Sequence, residues 1–222
     1  VKFSHYPMLF TKFESLLPKV MDLPLPGIVA QKKMAPLFRL QEIIDNPLNE
    51  NKAKKAAVLI LFFPDAKGIT NFVLIERVVD SGVHSGQISF PGGKRDLGDN
   101  TFWDTALREA QEEVGIPYSD VENIKELSRF YIPPSNFIVH PFVGFVRSRP
   151  TFVKEIKEVE KIIEVPLSKL LDSENETKGT VSTSYVGEIN VPMYVFENIQ
   201  VWGATATILA EMKELILIAL KE

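Results

Sequence analysis

Three glutamates lie close together in the stretch LREAQEEVGI, residues 107–116. At ~100° per residue, Glu109, Glu112 and Glu113 share one side of a helix through i+3 and i+4 spacing. Trp103, Ala106, Leu107, Ala110 and Val114 form an apolar stripe beside them. Such a helix docks one face on a core and presents three carboxylates on the next. In solvent, like charges at i and i+4 cost only ~0.2–0.5 kcal/mol, so an acidic stripe alone is an ordinary solvated face. Gathered ~6 Å apart in a shielded cleft, they repel by about 2–3 kcal/mol per pair at an effective dielectric of ~20. A bound hard cation removes that penalty, and oxygen donors suit Mg²⁺ or Mn²⁺.

The context strengthens the cation reading. Upstream lies Pro91-Gly92-Gly93, whose glycines permit positive φ and close approach of backbone to a ligand. Arg108 precedes Glu112 by four residues and can hold that carboxylate in one rotamer. As a plain surface ion pair it would be worth ~0–1 kcal/mol. Residues 92–116, GGKRDLGDNTFWDTALREAQEEVGI, resemble the Nudix box. That motif runs glycine, five residues, Glu, seven residues, then Arg-Glu-apolar-x-Glu-Glu-x-Gly-apolar. Its second half is complete in Arg108, Glu109, Ala110, Glu112, Glu113, Gly115 and Ile116. Its first half departs: Asp99 stands in place of Glu, and eight residues separate it from Arg108. The extra residue is expected in the loop before the helix, and the role of Asp99 is left open.

The match extends upstream. HSGQISFPGGKRD, residues 84–96, is similar to the motif that marks the coenzyme A pyrophosphatase branch of that family. PPSNFIVHPFVGFV (133–146), EVPLSKLL (164–171) and WGATATILAE (202–211) look like later elements of the same branch. The resemblance implies metal-dependent hydrolysis of the diphosphate of coenzyme A or an acyl-coenzyme A, giving 3′,5′-ADP and a 4′-phosphopantetheine. It implies Mg²⁺ or Mn²⁺ held by Glu109, Glu112, Glu113 and the Gly93 carbonyl. It also implies Arg77, His84, Gly92 and Gly93 against substrate, and catalytic roles for Arg108 and the glutamates, with Glu109 also helping to deprotonate water. Glu158, in the charged run KEIKEVEK, is the candidate for a carboxylate supplied by a distant loop; a solvated glutamate is its plainer reading. Two other readings compete: a Nudix diphosphatase for ADP-ribose or a dinucleotide, and a non-catalytic ligand-sensing domain.

Other residues read as structural first. His140 lies among apolar neighbours, and Phe62, Phe63, Phe142 and Phe145 read as core. Trp202 reads as packing at the start of the last helix, and Lys94 and Arg95 as exposed loop cations.

The elements that must position these groups follow from periodicity. Residues 8–20 place Phe10, Phe13, Leu17 and Val20 on one helical face, and Pro24 and Pro26-Gly27 break the chain after it. A short helix is predicted at 37–45. AAVLILFF, 56–63, is a strand buried on both faces, paired as a hairpin with NFVLIER, 71–77. An extended piece at 86–91 leads to a helix at 101–114 that ends on Gly115. Further strands are predicted at 125–132, 137–147, 161–165 and 192–197. A short helix follows at 166–171 and a long amphipathic one at 204–220. The fold class is α/β or α+β, an α/β/α sandwich around a mixed sheet. The division expected is an N-terminal extension, 1–55, packed on a domain spanning 56–222, as one domain overall. A cap over the substrate and plain packing both remain open for 1–55.

Composition sets the remaining bounds. With 25 basic and 29 acidic residues among 222, the chain has no basic excess for nucleic acid. It has no cysteine, which removes disulfides, thiolate metal sites and cysteine catalysis. The start lacks the pattern of a signal peptide, and ILAEMKELILIAL, 208–220, is too short and too charged to span a bilayer. The expectation is a cytoplasmic enzyme with a small nucleotide substrate and no membrane partner. The resemblance allows a homodimer, for which the sequence fixes no interface.

Overall fold

The computed structural model describes residues 7–35, 53–79, 86–183 and 187–221. The helix predicted at 37–45 lies outside them. The centre of the molecule is strand β1, Lys54–Pro64. Its apolar run divides between two cores. Ile60 and Phe62 join the one that holds helix α1 (Phe10–Asp22) and the long C-terminal helix α5 (Gly203–Lys221). Ala57, Leu59, Leu61 and Phe63 join the one that holds the acidic helix α3 (Phe102–Val114). Helices therefore cover both faces of the sheet, the sandwich expected from the sequence. A single helical turn, α2 (Gly27–Gln31), follows the proline break.

The pairing of β1 creates the place for a site. Along one edge it runs parallel to β7 (Phe137–Phe145), from Lys54↔Phe137 to Phe62↔Phe145. Its other edge is divided. The C-terminal half pairs with β2 (Thr70–Arg77) in the expected hairpin, and the N-terminal half pairs with β4 (Gly92–Lys94). The glycine turn is thus stitched into the sheet at Val58↔Gly92 and Ala57↔Gly93. Strand β3 (Ile88–Ser89) pairs with the end of β2, and β8 (Val159–Pro166) runs antiparallel to β2. The short helix α4 is Leu167–Leu171.

Three sequence expectations need correction. The strand predicted at 125–132 is two strands, β5 (Glu122–Glu126) and β6 (Phe130–Ile132), both on β7. Between them Ser128 leaves the ladder, because its N–H and hydroxyl donate to Glu211 at 3.4 and 2.6 Å. The strand predicted at 192–197 belongs to a separate three-stranded sheet: β9 (Glu176–Thr183), β10 (Gly187–Phe196) and β11 (Ile199–Trp202). Strand β9 escapes a hydrophobicity reading because it buries only Val181 and Thr183. Finally, α5, expected as a docked amphipathic helix, buries more than its apolar stripe. Glu211 and Lys213 are buried along with its apolar residues. Glu211 accepts from Gly27 N–H at 3.0 Å and the Gln31 amide at 2.9 Å, and Lys213 pairs with Glu176 at 2.6 Å.

The first helix is part of the core. Phe13 packs tilted against Phe62, with 4.7 Å between ring centroids. The Lys125 ammonium donates to the carbonyls of Val20, Met21 and Leu23 at 3.0, 2.6 and 2.5 Å. Those carbonyls lie at the helix end, where intrahelical partners run out. Among the described residues no helix is long and apolar enough to cross a membrane.

Candidate active site

Helix α3 starts on a reciprocal cap: Thr101 accepts from the Asp104 N–H, and the Asp104 carboxylate accepts from the Thr101 N–H. It stops at Gly115, whose φ of 77° is the left-handed conformation that glycine adopts without strain. Between these ends Ala106, Ala110 and Val114 bury against the sheet, and Trp103 meets Phe142 edge-on at 5.5 Å. This fixes the helix rotation, and with it the three glutamates. They lie at three depths rather than on one exposed stripe. The side chain of Glu113 is 1% exposed, that of Glu109 13% and that of Glu112 58%.

Glu113 is held between two donors. The Gly92 N–H reaches one of its oxygens at 2.8 Å, and Arg77 Nη1 reaches the other at 3.0 Å. Burial pushes its carboxyl up to about 7, against the pull of Gly92 and Arg77, and the charges of Glu109 and Glu158 add to the rise. Burial also raises Glu109, opposed by Arg108 and reinforced by Glu112 and Glu158. Glu158 thus acts electrostatically on both buried carboxylates. Its loop is tied to the end of α3 by Glu155 N–H to the Glu113 carbonyl at 3.1 Å. It is tied to β2 by Val78 N–H to the Glu158 carbonyl at 3.1 Å. The Glu158 side chain itself is exposed.

The two glycines do different work. At Gly92, φ 153°, a Cβ would overlap the Ala57 carbonyl and the Val58 Cα, so the strand pairing itself requires a bare Cα. At Gly93 a Cβ would overlap the Glu109 carboxylate. The clash there is with the end of a flexible side chain, so Gly93→Ala is expected to leave the melting temperature nearly unchanged. It should displace Glu109 and lower kcat/KM by about 10–100-fold, the usual cost of disturbing a ligand's support. Full activity in that variant would show that this close approach has no role.

Asp99 is the residue whose role the sequence left open, and the structure gives it one. Its carboxylate accepts from Arg108 Nε at 3.0 Å and Nη2 at 3.1 Å, from the Thr105 hydroxyl at 2.9 Å and from the Asp96 N–H at 2.9 Å. Arg108 in turn reaches Glu109 at 2.9 Å, Glu112 at 3.1 Å and the Lys94 carbonyl at 3.0 Å. It is therefore the hub of the acidic cluster and no simple surface ion pair. Arg108 first, helped by the Asp96 and Thr105 donors, holds the Asp99 carboxyl down at about 2 against burial. The residues between Asp96 and Thr101 absorb the extra length as a turn, with Asp99 N–H on the Asp96 carbonyl at 3.2 Å.

Of the remaining residues singled out in the sequence, Arg95 is less free than expected. It donates to the Asp99 and Asn100 carbonyls at 2.9 Å each and lies 4.7 Å over the Phe102 ring. Phe102 stacks on His140 at 3.7 Å, and His140 bonds Glu126 at 2.8 Å, so this histidine is structural. His84 lies outside the described residues. Sequence reading gave no signal for Thr105. It gave none either for Tyr118, whose phenol is pushed up by burial and then by nearby Glu112.

The oxygen donor set fits a hard divalent cation. Glu109 lies against the Gly93 backbone, and the buried carboxylates raise one another's charge cost. As the side chains lie, no three acidic or imidazole groups among the described residues converge at metal-ligand spacing. Arg77 and Arg108 hold Glu113, Glu109 and Glu112 in ion pairs instead.

Comparison with known proteins agrees with this arrangement. The NUDIX domain family model matches residues 53–183, which include the divided sheet, the glycine turn, the acidic helix and the Glu158 loop. A protein described as an uncharacterized Nudix hydrolase, NudL, of Yersinia pestis (strain Pestoides F) is 33% identical over 161 residues, covering 72% of this chain and 79% of that protein. NudL of Yersinia pseudotuberculosis gives the same figures. Among solved structures, a MutT/nudix family protein from Enterococcus faecalis aligns with a TM-score of 0.47 and 15% identity over 88% of this chain and 76% of its own. The MutT protein from Methanosarcina mazei Go1 aligns with a TM-score of 0.46 and 18% identity over 73% of this chain and 95% of its own. On the family match and the NudL identity, this chain belongs to the Nudix hydrolase family and acts on a phosphoric anhydride of a nucleoside diphosphate derivative.

Proposed function

We propose that this enzyme hydrolyses the diphosphate linkage of coenzyme A or an acyl-coenzyme A, using Mg²⁺ or Mn²⁺. The products would be 3′,5′-ADP and the corresponding 4′-phosphopantetheine. The observation that supports this substrate is the stretch HSGQISFPGGKRD, similar to the motif of the coenzyme A branch and continuous with the glycine turn. Its described part runs through β3 into β4, so it supplies both Gly92, on Glu113, and Gly93, against Glu109.

Glu109, Glu112, Glu113 and the Gly93 carbonyl are the proposed cation ligands. Held there, a divalent cation would supply a lowered pKa for the attacking water and would offset diphosphate charge. The chain's own groups do the rest. Water forms a bond to one phosphorus, the P–O bond to the bridging oxygen breaks, and the water's proton passes to a carboxylate. Glu109 is the proposed acceptor and Glu158 the second candidate. A proton on either relieves repulsion with the other and with Glu113. Arg77 is the proposed partner of the substrate's phosphates, and Arg108 keeps the glutamates in register. Such positioning and electrostatic stabilisation account for most enzymatic phosphoryl transfer.

The test is product analysis by chromatography, with Mg²⁺ or Mn²⁺ present. The panel is coenzyme A, acetyl-coenzyme A, a long-chain acyl form, ADP-ribose and a dinucleotide. The expected result is 3′,5′-ADP from the coenzyme A species. Turnover of ADP-ribose with every coenzyme A species left intact would overturn the proposal.

A further inference from the structure

We propose that Arg77 is an internal stand-in cation: it occupies Glu113 until a divalent cation arrives, and is then released toward the substrate's diphosphate. The inference rests on the cation assignment proposed above and deepens it by giving the site an order of events.

The two oxygens of Glu113 are not equally available. One accepts from the Gly92 N–H, and Gly92 is fixed in the sheet opposite Val58. The other accepts from Arg77 Nη1. Only the Arg77 side can be vacated without opening the sheet. The two arginines of the cluster also differ. Arg108 is anchored on two nitrogens by Asp99 and by the Lys94 carbonyl, so it stays when its glutamates move. Among the described residues, Arg77 pairs through its side chain with Glu113. Arg77 is also 32% exposed, while Glu113 is 1% exposed.

The backbone holds Arg77 where such an exchange can occur. It is the last residue of β2, and the β2–β8 register shifts between Glu76 and Arg77. A bulge of this kind re-aims a side chain at a strand end. A guanidinium and a divalent cation on the same carboxylate oxygen repel, so each weakens the other's hold on Glu113. By linkage, whatever Arg77 costs cation binding, the cation costs the Arg77–Glu113 pair equally.

An arginine that stays on Glu113 after the cation binds would also weaken the cation's hold, so calorimetry tests the competition and side-chain reactivity tests the release. This separates the readings. Calorimetric titration of the substrate-free chain with Mn²⁺ compares the wild type with Arg77→Gln and Glu113→Gln. Arg77→Gln is expected to bind Mn²⁺ roughly tenfold tighter, within the usual range of coupling between sites. The same variant is expected to bind ADP, a diphosphate probe, more weakly when Mn²⁺ is present. If Glu113→Gln loses Mn²⁺ binding while Arg77→Gln binds it no tighter than wild type, the stand-in role is wrong and the cation assignment stands. If Glu113→Gln binds Mn²⁺ as wild type does, the cation assignment itself is wrong. A second measurement needs no variant. Arg77 in the wild-type chain should react faster with phenylglyoxal after Mn²⁺ is added, as mapped by mass spectrometry. An unchanged or slower rate counts against release.

Discussion

Replacing Glu113 with glutamine is expected to abolish most hydrolysis and at the same time to make the metal-free protein more stable at alkaline pH. The first effect follows from losing a charge that the reaction uses. Removal of one preorganised electrostatic group typically costs on the order of 10²–10³-fold in kcat, and a residue proposed to hold the cation, as Glu113 is, stands at or above the upper end. The second follows from linkage. The Glu113 carboxyl rises from 4.5 to about 7 on folding, chiefly through burial. Its folded value lies above its unfolded one, so the native state binds the proton more tightly. Stability is then highest below the unfolded value and falls as pH rises through about 7. Glutamine copies the neutral acid in shape and never ionises. At pH 8 it should therefore stabilise the metal-free chain, by up to about 3 kcal/mol. Thermal melts of both proteins in chelator, between pH 5 and 8, would show this. The curves should diverge as pH rises, with the wild type falling. Added Mg²⁺ should raise the wild-type melt and leave the variant's unchanged, since only a ligand bound by the native state stabilises it. Parallel curves across that range would mean that Glu113 does not carry the buried charge assigned to it.

Conflict between burial and charge also explains what could be read in the sequence. The apolar run 56–63 announces a strand buried on both faces, and Gly115 marks the end of the acidic helix, whereas the Thr101 cap emerges only in the structure. Each of these signals is local and agrees with its surroundings. The register of the helix placed three glutamates on one side. It could not say that Glu113 would be buried and Glu112 exposed, because depth depends on how the sheet and the Glu158 loop close over α3. The same limit applies to β9, whose polar residues face solvent while Val181 and Thr183 bury. It applies to Glu211, which looks like a solvated helix residue until α2 and Ser128 converge on it. The place of Glu158 was legible only as a guess. What ties it to the site is a pair of backbone hydrogen bonds between segments far apart in the chain, and these leave no periodic trace.

The irregular loop makes the second large effect. Asp99→Ala is expected to cost about 10–100-fold in cation affinity or activity, the range typical of groups that orient metal ligands. The reason is the division of labour on Arg108. Asp99 takes two of its nitrogens, which limits how much of the guanidinium is left for Glu109 and Glu112. Without Asp99 the arginine is expected to turn fully onto those glutamates and to compete with the proposed cation for them. Asp99→Asn is the sharper probe, since it keeps the shape and removes the charge. Arg108 holds the Asp99 carboxyl at about 2, below its ordinary 3.8. A depressed carboxylate stabilises the fold fully above its unfolded value, and the contribution is lost as pH falls through about 2. With the pair's partial screening by solvent, the asparagine variant should be less stable than wild type by about 1 kcal/mol at neutral pH, and the difference should shrink between pH 4 and 2. Denaturant melts at several pH values would measure it. A difference that stays constant down to pH 2 would mean that the lost hydrogen-bond shape, and not the charge, accounts for the cost. Loss of stability without loss of cation affinity would confine Asp99 to holding the loop. If both fall together, the turn at 96–100 and its acid are a working part of the site, because that turn brings the Asp99 carboxylate to Arg108.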